Sequence, residues 1–341
     1  MTRLYIGVDF HPYSQTVAYC DEQYGDINYK LFDHKDKKAL REFYKQADKD
    51  SLIGVEATGT TQWFDRMLSE MGLELKTGNP RLIRRMALSR HKNDYRDAET
   101  ILDLLITGRF PEIEPRSEYS QLVLGLLRHR HAMVGQRTAI ANALQAFARR
   151  KGLDRFRTKS KKAKELIVSA VDCETETFMV DSRFRLYELL TKEIMRTESE
   201  LGSYARKDEK VRLLLTHSGV GPLTALCMVH TLGDVNRFGR KEEVVSYVGL
   251  DPLDKSSGEK KRIGRISKHG SRLLRFLLVH SAQTSRDKRI RDFYLKVSRR
   301  RGKPIAKVAA ARKLLVNCFI MLRDEIDYIE FCRRGEVGLC G

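Results

Sequence analysis

Apolar positions in the first hundred residues fall in short runs that stop at turn-forming or acidic residues. Leu4–Asp9, Thr16–Asp21 and Ile27–Phe32 predict three short strands joined as a meander. Lys37–Gln46 has helical spacing, Ser51–Glu56 reads as a fourth strand, Thr61–Met71 as a second helix and Leu73–Thr77 as a fifth strand. Asn79-Pro80 then opens helical stretches near Arg81–Ser89 and Asp94–Thr107. This order predicts a mixed sheet with helices on its faces. After Phe110-Pro111 the apolar period becomes helical. Leu122, Leu124, Leu126, Leu127, Met133, Val134, Ile140, Leu144 and Phe147 form a stripe through Tyr119–Lys151, opposite a face rich in Arg, Lys and His. Lys162–Ala170 and Ser182–Arg206 continue the pattern. Such stripes ordinarily pack helices together, so a long helical hairpin is expected, with a dimer contact as its further use.

Charge divides the chain in the same place. Residues 1–110 carry 17 basic and 17 acidic side chains, and the remaining 231 carry 47 and 28, so the whole excess of +19 lies after position 110. Such an excess favours polyanions through counterion release. The six cysteines are scattered and form no CxxC pair, which argues against a zinc site or a disulfide framework. No signal-peptide pattern is present, and no apolar run approaches the ~18–20 residues of a membrane span. A reduced, cytoplasmic protein with no membrane partner is expected.

Four acids in the neutral part carry the strongest chemical signal. Asp9 ends the run Leu4–Val8, and Glu56 ends the run Leu52–Val55. Asp94 and Asp97 follow at i and i+3, on one face of a helix. Acids on a first strand, a fourth strand and a late helix converge at one edge in a ribonuclease-H-like fold, whose element order this lobe resembles. The four would hold a divalent cation through hard oxygen ligands, Mg²⁺ or Mn²⁺. In a chain this basic, the expected substrate is a phosphodiester.

Two further patterns lie in the basic part. Gly219 and Gly221 flank one apolar residue between two helical stretches, with Ala225 four later, a helix-hairpin-helix pattern that can bring backbone to a phosphate. A purely structural turn is the competing explanation. Further on, Ser256-Ser257-Gly258 sits among Lys260, Lys261, Arg262, Arg265 and Lys268. A serine hydroxyl needs activation to act as a nucleophile, and no partnering histidine is evident. On chemistry alone, a flexible basic loop gripping nucleic-acid backbone is the simpler account of these cations.

Together these motifs resemble the insertion-sequence one-ten family of transposases, which also holds the Piv/MooV DNA invertases. Tyr5–Asp9, Val55–Gly59 and Asn93–Ala98 resemble its RuvC-like DEDD domain, and Ser218–Ala225, Val248–Pro252, Ser256–Gly258, Arg262–Gly270 and Ala309–Leu315 its second transposase domain. The match runs in order from about residue 3 to about 323, and the serine loop is closest in form to the one-one-one-one subgroup. The resemblance implies an α/β plus all-α chain. Residues 1–112 would be a RuvC-like catalytic domain, 113–207 a coiled-coil dimerisation segment, 208–325 a mainly helical transposase domain and 326–341 a tail. Lys159–Lys164 and the chain beyond Asp324 have no counterpart in it.

The resemblance also implies a mechanism. Asp9, Glu56, Asp94 and Asp97 would hold Mg²⁺ at the scissile phosphate. Ser257, with Ser256 adjacent, would attack phosphorus and form a covalent phosphoserine–DNA intermediate. Dimers would pair into tetramers with composite sites. A structured non-coding bridge RNA would choose donor and target DNA by base pairing, a division of labour shared with other RNA-guided systems. A prokaryotic, nucleoid-associated enzyme follows. Alternatives are a metal-only RuvC-like endonuclease, which needs the acids and no serine, and an invertase working without an RNA guide. A non-catalytic binder is disfavoured by four acids in register. An actin-like ATPase is disfavoured because Phe10-His11-Pro12 stands where a glycine-rich phosphate turn would follow Asp9.

Overall fold

The structure, a computed structural model, describes residues 3–21, 25–87, 93–114, 116–158, 160, 162–254 and 263–337. The chain divides into two compact units, residues 1–115 and 116–341. The first unit is a five-stranded sheet in the order β3-β2-β1-β4-β5. Its strands are β1 (Leu4–Phe10), β2 (Ser14–Asp21), β3 (Asn28–Asp33), β4 (Leu52–Glu56) and β5 (Leu75–Gly78). The meander β1-β2-β3 is antiparallel, and β4 and β5 add in parallel to the other side of β1. Its helices are α1 (Lys37–Tyr44), α2 (Gln62–Glu70), α3 (Pro80–Met86) and α4 (Asp94–Ile106). Every expected strand and helix of this lobe forms, within a few residues of its expected ends.

Side chains alternate across the sheet, and the two faces are built differently. Ile6, Val8, Val17, Ile53 and Val55 point to one face and pack on Leu40 and Phe43 of α1 and Phe64 and Leu68 of α2. The other face presents small residues to α4. Ala18 packs with Ala98 and Leu102, and Gly7 and Gly54 pair across β1 and β4. A Cβ on Gly7 would stand 2.2 Å from the carbonyl oxygen of Ala98 and 2.5 Å from the amide nitrogen of Leu102; one on Gly54 would stand 2.9 Å from Leu105 Cδ1. These glycines let α4 lie almost backbone to backbone on the central strand.

The second unit is helical. It holds α5 (Glu118–Arg150), α6 (Lys162–Val168), α7 (Glu174–Lys207), α8 (Glu209–Leu215), α9 (Pro222–Leu232) and α10 (Lys241–Val248). A two-stranded hairpin follows, β6 (Pro252–Asp254) and β7 (Ile263–Ile266). Then come α11 (Arg272–Thr284), α12 (Lys288–Arg301), α13 (Lys303–Arg323) and α14 (Tyr328–Val337). α5 and α7 form the expected long hairpin, about 50 Å in length, with Leu144 and Phe147 against Val180 and Phe184 toward one end. α7 begins eight residues earlier than its apolar pattern implied. Phe178 is exposed there, so apolar spacing is silent, and Glu174 and Glu176 instead favour the positive end of the helix. Residues Thr224 to Leu232 of α9 are all buried, which makes α9 the axis of the largest core together with Leu314, Leu315, Cys318 and Phe319 of α13.

Gly7→Ala is expected to destabilise the protein by about 1–3 kcal/mol or more, because the new methyl meets rigid helix backbone. Urea denaturation checks this; a midpoint equal to wild type would show that α4 can move away freely.

Candidate metal centre

β1 ends at the edge of the sheet as Val8-Asp9-Phe10. Val8 pairs with Val55 in parallel register, so Asp9 and Glu56 leave adjacent strands side by side. Asp9 shares the face of Gly7, on which α4 rests. Asn93 caps α4 by accepting a hydrogen bond from the Tyr95 amide at 3.2 Å, which starts the helix at Asp94 and puts Asp94 and Asp97 in its first turn. Carboxylates there are favoured by the helix dipole. Beneath the site, the Phe10 ring packs at 4.6 Å from His34 and 5.7 Å from Trp63, anchoring the end of the strand.

The electrostatics follow from this geometry. Burial pushes the Asp9 carboxyl up to about 6; His11 opposes the shift, and Asp97, Asp94 and Glu56 reinforce it. Asp9 Oδ2 is buried and makes no hydrogen bond to the described residues. His11 Nε2 stands 3.2 Å from that oxygen and 3.6 Å from Asp94 Oδ2, at a geometry that forms an ion contact and no hydrogen bond. Asp9, His11 and Asp94 each offer a ligand atom within 4.8 Å of one another. Asp97 and Glu56 stand outside that tight group and act on Asp9 through charge. An orphaned carboxylate oxygen among converging acids suits a divalent cation: the ion would supply the missing partner and cancel the repulsion.

His11 was not singled out from the sequence as a ligand. Its signal was its position two residues past Asp9, where it served only to exclude a phosphate-binding glycine turn.

The second unit places its motif residues unequally. The Gly219 amide donates to His217 Nδ1 at 3.0 Å, and a Cβ at Gly219 would stand 2.4 Å from Ser285 Oγ. This glycine is therefore spent on packing inside the turn between α8 and α9. Gly221, which precedes α9, has open space where a Cβ would be. Arg265 and Lys268 are exposed at the base of the β6–β7 hairpin. Ser256, Ser257, Lys260, Lys261 and Arg262 lie outside the described residues.

The hairpin base is tightly specified. Gly249 and Gly270 both have positive φ, and a Cβ on either would stand about 2 Å from backbone of the other's segment: Gly249 2.0 Å from the His269 oxygen, Gly270 2.1 Å from the Tyr247 oxygen. Arg275 Nη1 donates to the carbonyls of Val248, His269 and Gly270, and Arg312 donates from Nε and Nη2 to the Leu250 carbonyl. Neither arginine was assigned a role from the sequence, since a cation spent on backbone carbonyls looks like any other basic residue there.

Comparison with known proteins agrees with both halves. A family model described as "Transposase", for DEDD transposases of the IS110 type, matches residues 6–151, and one described as "Transposase IS116/IS110/IS902 family" matches residues 211–295. A "Probable family 20 transposase" of Pseudomonas aeruginosa is 27% identical over 250 residues, 72% of this chain and 73% of its own. The "Transposase for insertion sequence element IS1328" of Yersinia enterocolitica is 29% identical over 82% of each chain. The "Transposase for insertion sequence element IS1111A" of Coxiella burnetii is 28% identical over 69% of this chain and 66% of its own.

The raised Asp9 pKa has a definite sign in stability. Between the ordinary carboxylate range and pH 6 the folded state holds a proton that the unfolded state has lost, so stability falls as pH rises through that window. Asp9→Asn is expected to stabilise the metal-free protein by roughly 1–2 kcal/mol at pH 8, allowing for solvent at the mouth of the site, and by little near pH 4. Mg²⁺ or Mn²⁺ should raise the melting temperature of wild type at pH 8 and leave Asp9→Asn unmoved. Melting curves at both pH values, with and without metal, check this; a variant less stable than wild type at pH 8 would refute it.

Proposed function

The chain belongs to the DNA transposases of the IS116/IS110/IS902 family, and from that premise we propose that it cuts and rejoins donor and target DNA by serine chemistry beside a carboxylate-held divalent cation. The observation that carries the proposal is the meeting of Asp9, His11 and Asp94, with Asp97 and Glu56 close enough to act on Asp9. Asp9, Glu56, Asp94 and Asp97 would hold Mg²⁺, or Mn²⁺, with His11 beside them. The ion, when bound, supplies charge stabilisation at the scissile phosphate. The four acids keep it at the open edge of the sheet, where a DNA strand can reach it.

In this reading Ser257 is the nucleophile. Its Oγ bonds to phosphorus as the bond from phosphorus to one deoxyribose oxygen breaks; the serine proton leaves, and the departing oxygen takes one up. The phosphoserine ester conserves the energy of the broken bond, so attack by the new strand's hydroxyl rejoins DNA and frees the serine. Arg265 and Lys268, with Lys260, Lys261 and Arg262, would hold backbone phosphates around the loop, and Gly221 would bring the start of α9 toward another.

A structured guide RNA of the bridge type would select donor and target by base pairing, which suits a basic unit without a sequence-reading motif. Homodimers would form through the α5–α7 hairpin and pair into tetramers; exposed Leu122, Leu186, Leu189 and Met195 on that hairpin support a contact there. Among the described residues no helix is long and apolar enough to cross a membrane, and the enzyme would work in the prokaryotic cytoplasm at the nucleoid.

Covalent trapping tests the proposal. Wild type, Ser257→Ala and Ser256→Ala are incubated with Mg²⁺, labelled donor DNA and co-purifying RNA, then denatured and run on a gel. A protein-linked DNA band lost only in Ser257→Ala is expected; loss only in Ser256→Ala would move the nucleophile by one residue. Cleaved DNA with no linked band in all three proteins would establish a metal-only RuvC-like endonuclease. Asp9→Ala, Glu56→Ala, Asp94→Ala and Asp97→Ala should each abolish recombination in folded protein, and cleavage independent of added RNA would replace the guided mechanism with that of an unguided invertase.

A further inference from the structure

α12 is the most lopsided helix of the second unit. Seven of its fourteen residues are Lys or Arg, and Asp292 is its one acid. It buries Ile290 and Val297, with Phe293 and Tyr294 half-buried against the same core, and Lys313 of α13 holds its ammonium 4.8 Å from the Phe293 ring. One face is thus fixed by packing. The other presents Lys288, Arg291, Lys296, Arg299 and Arg300 to solvent, followed by exposed Arg301 and Lys303 at the turn into α13.

Several cations elsewhere in the unit are paired with acids. Arg196 pairs with Glu193 at 3.1 Å, Arg212 with Glu209 at 3.2 Å and Lys151 with Glu176 at 2.7 Å. Lys288, Arg291, Lys296, Arg299 and Arg300 make no ion pair with any described residue. They face one another instead: Lys288 and Arg291 at i and i+3, Lys296 with Arg299 and Arg300 at i+3 and i+4. Like charges at these spacings repel and destabilise a helix. Packing does not explain them, because all five are exposed. A polyanion would turn the repulsion into attraction.

We propose that the solvent face of α12 is a binding surface for nucleic-acid backbone, formed by residues other than those of the serine loop and the acid cluster. It rests on the transposase reading for the class of its partner. From Lys288 to Arg299 the row runs about 16 Å, and duplex nucleic acid presents a phosphate about every 3.4 Å of axis along each strand. The row can therefore meet several successive phosphates, most naturally as a helix laid along or across a groove. Leu295 is the one large apolar residue exposed on this face, too little for insertion into a lipid surface. The family match ends at residue 295, whereas the cations continue to Lys303.

The test uses the full chain. Lys288, Arg291, Lys296 and Arg299 are changed together to Gln, and a control removes four exposed cations of α7 (Arg185, Lys192, Arg206 and Lys207) in the same way. Binding of labelled single-stranded DNA, duplex DNA and a stem-loop RNA is followed against salt concentration. The α12 variant should lose about 10–100-fold in affinity near 0.1 M salt, with a log–log salt slope smaller by about 2–3. Loss on the RNA alone or the DNA alone identifies which backbone the face holds. A variant with Lys and Arg interchanged at the four positions should keep the slope.

In the wild-type complex, Lys288 and Lys296 should also be acetylated several-fold more slowly than in free protein. That measurement stands even if the Gln variant fails to fold. Unchanged slopes, or an equal loss in the α7 control, would overturn the proposal while leaving the enzyme's transposase function intact. Wild-type protein that bound none of the three probes would instead defeat the parent reading, and this surface with it.

Discussion

The candidate metal centre depends on how closely one helix lies against one strand. Gly7 stands where any side chain would strike the Ala98 carbonyl and the Leu102 amide. Because it has none, the start of α4 reaches the end of β1. Gly54 on the neighbouring strand and Ala18 on the other side widen the same shallow channel. A larger residue at any of the three would lift α4 and carry Asp94 and Asp97 away from Asp9. The small residues of this face build no large core of their own; they set a distance.

That distance has an electrostatic consequence. Burial at the strand end, reinforced by the neighbouring acids, raises the Asp9 carboxyl to about 6, and its Oδ2 makes no hydrogen bond to the described residues. A protein without a use for the site would gain by relaxing it. The close contact beneath opposes relaxation, so the folded chain keeps these acids together, as the proposed cation would require.

The second unit applies the same economy of space to a loop. Gly249 and Gly270 allow two segments to touch at backbone distance, and Arg275 and Arg312 satisfy the carbonyls gathered there. Two half-buried guanidinium groups in a strongly basic unit are thereby used as donors to backbone, while Arg265 and Lys268 are exposed. Net charge alone cannot separate these roles. On α12 the separation is again by face: apolar residues fasten the helix, and the exposed cations outnumber Asp292, its one acid.

Local pattern determined the element order, the mixed sheet, the helical hairpin and the division into a neutral and a basic part, because strand alternation and helical periodicity are written into neighbouring residues. It also picked out Asp9, Glu56, Asp94 and Asp97, since an acid at the end of an apolar strand or in the first turn of a helix is a local signature. Residue type alone could not show that His11 joins Asp9 and Asp94, that Gly219 is spent against Ser285, or that Arg275 and Arg312 hold a hairpin. Those facts concern which atoms lie within a few ångströms of residues far away in the chain. Only the tertiary structure decided them, because packing α4 on β1, and α11 and α13 on the hairpin base, is what sets those distances.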